Sequence, residues 1–157
     1  MTDEFLDDIY RARIIETADD FIKTASNARS AMEAVVGLLY ASIPHYDWVG
    51  IYLLDRENML SLGPYRGDPS PHDRIRVEDG ICGAAVREKQ TIIVDDVNAD
   101  PRYLACSIGT KSEIVVPIIK GGKVKGEIDI DSDKSKAFTE NDKAMLEAVA
   151  SKLSELF

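Results

Sequence analysis

Glu127, Asp129 and Asp131 alternate with Ile128 and Ile130 in the stretch GEIDIDS, residues 126–132. A period of two is the signature of a β-strand, in which alternate side chains share a face. Three carboxylates therefore line up on one side, opposite an apolar side that packs inward. Like charges so placed repel unless water solvates them or something positive sits among them. For most such strands the outcome is a solvated outer face. Glu113, at the start of the preceding strand SEIVVPIIK (112–120), shifts that balance. The tight turn GGK closes the two segments into a hairpin that returns residue 131 to the end where residue 113 lies. Two carboxylates 4 Å apart cost each other roughly 4 kcal/mol at an effective dielectric near 20. A bound cation or a retained proton relieves that cost. The cluster thus suits a ligand with an ammonium group, beside a proton donor. A calcium loop is not expected, because DIDSDK has lysine where such a loop needs its glycine.

Two cysteines come next. Cys82 lies in GICGA at the start of a short predicted helix, where backbone N–H groups favour a thiolate. Cys106 lies in LACS, within a long loop of the kind that a scaffold holds over a pocket. Such a pair is either two inert core thiols or the two ends of a transient catalytic disulfide. No metal site is expected, since neither cysteine sits in a C-x-x-C and His45 and His72 lack ligand spacing to them. Both histidines fall in proline-rich turns and are expected to be exposed. Trp48 and Tyr52, four apart on the strand WVGIYLL, face the same way. They either fill the core or wall a pocket for an apolar methyl group.

The elements that must position these residues follow from periodicity. Residues 3–24 read as an amphipathic helix, and a second helix carries Ala31, Ala34, Val35, Leu38 and Leu39 as its stripe. Strands at 48–54 and 59–67 make a first hairpin around DREN. The segment DPSPHD is loop, RIRV a short strand, TIIVDDV (91–97) a further strand, and 98–112 a long irregular loop. Thr139 and Asp142 start a closing helix with a capping-box pattern. The order predicts an α+β domain spanning 1–157: a mainly antiparallel sheet, terminal helices on one side, pocket loops on the other. The two terminal helices leave an apolar stripe for a second copy, so a homodimer is expected.

Bulk properties exclude several classes. At 157 residues the chain is one domain by size, with 45% hydrophobic and 30% charged residues. A net charge of −9, with no basic stripe, argues against a nucleic-acid partner. No apolar run reaches the roughly 18 to 20 residues of a membrane span, and MTDEFLDDIY has no signal-peptide character. A cytoplasmic location is the expectation.

Taken together, DWVGIYLL, LGPYRG, the GICGAA turn, DVNADPRYLAC, SEIVVP and GEIDIDS resemble the free methionine-(R)-sulfoxide reductases, single-domain enzymes of the GAF fold. The likeness runs over residues 47 to 138. It implies that Cys106 attacks the sulfur of free L-methionine-(R)-S-oxide and is left as a sulfenic acid. It implies that Glu113, Asp129 and Asp131 hold the substrate, with one carboxyl protonated to donate to the sulfoxide oxygen. It implies that Trp48 and Tyr52 enclose the ε-methyl, and that backbone N–H groups around Ala105 and Cys106 hold negative oxygen. Glu127 has no counterpart role and is expected in solvent beyond the pocket.

The family pattern also has a resolving cysteine ten residues before the G-x-C-G cysteine; here His72 stands there. Resolution then falls to Cys82, giving a Cys82–Cys106 disulfide, or to an external thiol; Cys82 is the expectation. No bound cofactor is implied, and thioredoxin or another thiol supplies the electrons. The alternative is a non-catalytic GAF domain that binds methionine or a related small molecule.

Overall fold

The computed structural model describes residues 2–105 and 109–157. Six strands form one sheet in the order β3-β2-β1-β6-β5-β4. They are β1 (Trp48–Leu54), β2 (Met59–Arg66), β3 (Arg74–Arg76), β4 (Ile92–Val94), β5 (Ser112–Lys120) and β6 (Lys123–Ser132). Every pairing is antiparallel. The helices are α1 (Asp3–Thr24), α2 (Ala28–Ser42), α3 (Gly80–Glu88) and α4 (Glu140–Leu153).

The β5–β6 hairpin turns through Gly121 and Gly122, at φ 59° and 78°, a left-handed conformation that suits glycine. The turn fixes a register in which Glu113 pairs with Asp131, Val115 with Asp129 and Pro117 with Glu127. On its other side β6 pairs with β1, setting Trp48 against Asp131, Gly50 against Asp129 and Tyr52 against Glu127. The acidic strand is therefore central, and both of its faces are covered.

On one face, Ile114, Val116, Ile118, Ile128 and Ile130 pack with Val49 and Ile51 against α1, α2 and α4. On the other, Tyr52, Leu60, Ile75, Ile81, Cys82, Ala85, Val94 and Val115 form a second apolar cluster under α3. The α+β arrangement expected from the sequence is present, with α3 added to the loop side. The predicted strand 91–97 is shorter, ending at Val94. Asp96 then caps a 3₁₀ turn, Val97–Ala99, through the Asn98 N–H at 3.0 Å.

A polar bridge joins the terminal helices. Asp142 of α4 accepts from Arg11 of α1 at 3.0 Å, from the Tyr46 hydroxyl, and from the Thr139 N–H at 2.8 Å. Burial alone would raise the Asp142 pKa, but these donors hold it below the usual carboxylate range. Among the described residues, no helix is long and apolar enough to cross a membrane.

Candidate active site

Four carboxyls stand on the α3-side face of the sheet: Glu113 from β5, and Glu127, Asp129 and Asp131 from β6. All are buried, Glu127 completely and the others at 2 to 4% exposure. The Glu113–Asp131 juxtaposition predicted from the hairpin is present. The expectation for Glu127 is corrected. Because β6 is a central strand roofed by α3, its third acid is inside rather than in solvent.

Burial is the main cause that lifts all four acids above the normal carboxylate range. Asp129 and Asp131 push Glu113 further, and Asp129 does the same to Asp131. Asp129 is partly pulled back by hydrogen bonds from Glu113 and from the Cys82 thiol. Asp129 Oδ1, Asp131 Oδ1 and both oxygens of Glu127 form no hydrogen bond among the described residues. Unsatisfied buried acceptors of this kind are costly, and they mark a place where a donor or cation is wanted.

Cys82 points into the same cluster, its Sγ donating to Asp129 Oδ2 at 3.5 Å. The helix-start argument for a thiolate is overturned. Burial first, then the charges of Asp129, Glu127 and Glu113, push this thiol well above its ordinary pKa. One turn of a nine-residue helix does not outweigh three carboxylates in a desolvated site. Among the described residues, ligand atoms of Cys82, Glu113 and Asp129 lie within 4.8 Å of one another.

Among the described residues, cavities reach the cluster at both of its ends. At the Asp131 end a cavity of about 70 Å³ is lined by Asp47, Trp48, Asp68, Ser70, Thr110 and Asp133. At the Cys82 end lies a small cavity of about 10 Å³ between Leu104, Glu113 and Asp129. The acids of the larger mouth were not singled out from the sequence; they come from three separate loops. Burial and the neighbouring Asp47 and Asp68 raise the Asp133 carboxyl, so this mouth too is short of positive charge.

Trp48 and Tyr52 do share the site face, with ring centroids 6.4 Å apart. Gly50 lies between them, and any Cβ there would run into the Trp48 indole. Trp48 stacks on Tyr65 and donates Nε1–H to the Asp68 carbonyl at 2.9 Å. The Tyr52 hydroxyl donates to the His72 carbonyl at 2.7 Å. Both aromatics thus tie the 68–73 loop down over the pocket. His72 is not simply exposed: it is half-buried, and its Nε2 lies 3.0 Å from the Ala105 carbonyl. His45 packs edge-on against Tyr46, its Nε2 buried without a hydrogen-bond partner among the described residues. Ala105 is exposed, and Cys106 lies outside the described residues.

A model of the GAF domain matches residues 23–155. The chain belongs to the GAF family. Its curated homologues include the free methionine-R-sulfoxide reductase of Saccharomyces cerevisiae, 45% identical over 107 residues. That match covers 66% of this chain, which spans only 59% of the yeast protein's length. Among solved structures, the type II free methionine-R-sulfoxide reductase of Thermoplasma acidophilum is 43% identical. It superposes with a TM-score of 0.80 over 82% of this chain and 91% of its own. The free methionine-R-sulfoxide reductase of Neisseria meningitidis, solved in complex with its substrate, gives 0.89 at 30% identity. That match covers 94% of this GAF domain and 87% of the Neisseria chain.

Proposed function

We propose that the whole chain, 1–157, is one GAF domain that reduces free L-methionine-(R)-S-oxide to methionine. The observation that carries this reading is the buried four-carboxyl face, with unpaired oxygens, opening at the Asp131–Trp48 end. A free amino acid brings an ammonium group to that face and a small apolar methyl group to Trp48 and Tyr52. Substrate-bound relatives support the same choice of ligand.

In this reading Cys106 attacks the sulfoxide sulfur. A carboxyl of the Glu113–Asp129–Asp131 group, kept protonated by burial and by its neighbours, donates to the sulfoxide oxygen. Backbone N–H groups at Ala105 and Cys106 hold negative oxygen. The oxygen passes to Cys106 as a sulfenic acid while methionine leaves, so the sulfoxide is reduced and the thiol oxidised. Cys82 then closes a disulfide with Cys106, and a thioredoxin-type dithiol reopens it. No bound cofactor is required, and thiol recycling suits a cytoplasmic enzyme. A second copy docks along α1, whose N-terminal half leaves Phe5, Leu6, Ile9 and Tyr10 exposed.

A non-catalytic methionine-binding domain is the second reading, favoured by the raised pKa of Cys82. The test is NADPH consumption in a thioredoxin-coupled assay with each free sulfoxide epimer. Turnover of the R epimer is expected, with Cys106→Ser inactive. Binding of methionine without turnover of either epimer would establish the second reading instead.

A further inference from the structure

Cys82, Glu113 and Asp129 meet on one side of the sheet although they come from three elements, α3, β5 and β6. No spacing in the sequence announces such a trio. Each residue offers one ligand atom, and the three atoms lie within 4.8 Å of one another. All three residues are buried, at 5, 3 and 2% exposure. Cys82 Sγ and Asp129 Oδ2 are 3.5 Å apart. Zinc bonded to sulfur at about 2.3 Å and to oxygen at about 2.1 Å holds such a pair roughly 3.6 Å apart at the tetrahedral angle. The pair already stands at that spacing.

Two further observations point to a cation. The cavity of about 10 Å³ at the Cys82 end is lined by all three residues, with Ile75, Ile81 and Leu104 as dry walls. That is room for a single atom of about water's size. Among the described residues, no lysine or arginine lines it. Asp129, which lines it, is buried with an Oδ1 that forms no hydrogen bond among the described residues. A buried acceptor left in that state wants a positive partner. The donor set then selects the ion. Calcium and magnesium take six or more oxygen ligands, which two carboxylates and a thiol do not supply. Zinc, four-coordinate and borderline-soft, takes sulfur and oxygen together.

We propose that Cys82, Glu113 and Asp129 form a binding site for zinc, with water as the fourth ligand. On binding, the Cys82 S–H bond breaks, the sulfur gives its electron pair to the metal, and the proton passes to solvent. Nothing is oxidised or reduced. The site itself does not depend on the reductase reading. Its consequence does: the metal takes Glu113 and Asp129 from the ammonium group of the amino acid, so zinc and methionine exclude each other.

The test is titration of the reduced full-length chain with Co²⁺, a spectroscopic stand-in for zinc, near neutral pH. The chain has two cysteines, so in Cys106→Ser any sulfur signal belongs to Cys82. That variant should bind one equivalent of Co²⁺ with a thiolate-to-cobalt charge-transfer band in the near ultraviolet. Zn²⁺ should bleach the band by displacing the cobalt. Adding Cys82→Ser should abolish it. Glu113→Gln and Asp129→Asn, each in the Cys106→Ser background, should weaken cobalt binding about a hundredfold, the most that even an outer-shell partner contributes. Glu113→Gln also relieves repulsion among the acids, so it tests the ligand set without unfolding the chain, which circular dichroism checks. Absence of the band, a band that survives Cys82→Ser, or unchanged affinity in Glu113→Gln overturns the proposal. Methionine at about ten times its Kd should weaken apparent cobalt affinity roughly tenfold. If the band and its ligand dependence hold while methionine has no effect, the metal site stands and the placing of substrate on these acids fails.

Discussion

Glu113 shows how burial can be turned to use in a single residue. Its carboxyl is raised chiefly by desolvation, then by Asp129 and Asp131. The native state therefore keeps its proton at pH values where the unfolded chain, with a glutamate near 4.3, has lost it. Its favourable contribution to stability is fully present below the unfolded pKa and is lost as pH rises through the native one. Glu113→Gln should thus equal the parent in denaturant titrations near pH 4 and exceed it near pH 7. The same variant should lose methionine binding by isothermal titration. An unchanged stability difference across that range would show that Glu113 does not titrate between the two values. The pairing of Glu113 with Asp131 was legible from the sequence, because GGK fixes hairpin register and register fixes faces. The burial of Glu127 was not. Alternation reads the same on a solvated strand and on one roofed by α3, and only the far-off GICGA segment supplies the roof.

Elements hold this face in place through contacts of widely different sequence range. The capping box at Thr139 and Asp142 was readable locally and is present. The partners that Asp142 finds in Arg11 and Tyr46 were not, since they lie 131 and 96 residues away. Removing one member of a buried charged pair leaves the other uncompensated. Asp142→Asn should cost about 3 kcal/mol in urea unfolding at pH 7, the lower end of that range because Arg11 keeps some solvent contact. The Asp142 pKa is lowered, so its contribution is present above the unfolded carboxylate value and is lost as pH falls through the native one. The penalty of the substitution should shrink in acid accordingly. In β1, Gly50 gives the Trp48 ring its room. Gly50→Ala is expected to turn the indole, shift Trp48 fluorescence and weaken methionine binding about tenfold, with a smaller loss of stability. A variant with unchanged fluorescence and affinity would show that the ring does not depend on that space.

At the scale of the whole molecule, α1 has more apolar surface than one chain can cover. Ile14, Ala18 and Ile22 seat its C-terminal half against the core. Phe5, Leu6, Ile9 and Tyr10 stand 44 to 51% exposed along its N-terminal half. The amphipathic reading of residues 3–24 could not tell these two sets apart, since helical spacing alone does not say which stripe finds a partner within the chain. A standard stable interface buries about 800 Å² on each partner, which four such side chains supply only in part. Sedimentation equilibrium should report twice the chain mass of 17.4 kDa. The double substitution Leu6→Glu and Ile9→Glu should shift it to monomer. It should leave the acidic face intact, because neither side chain touches the core. A parent that sediments as a monomer at tens of micromolar, or a charged variant that stays dimeric, would move the interface elsewhere or remove it.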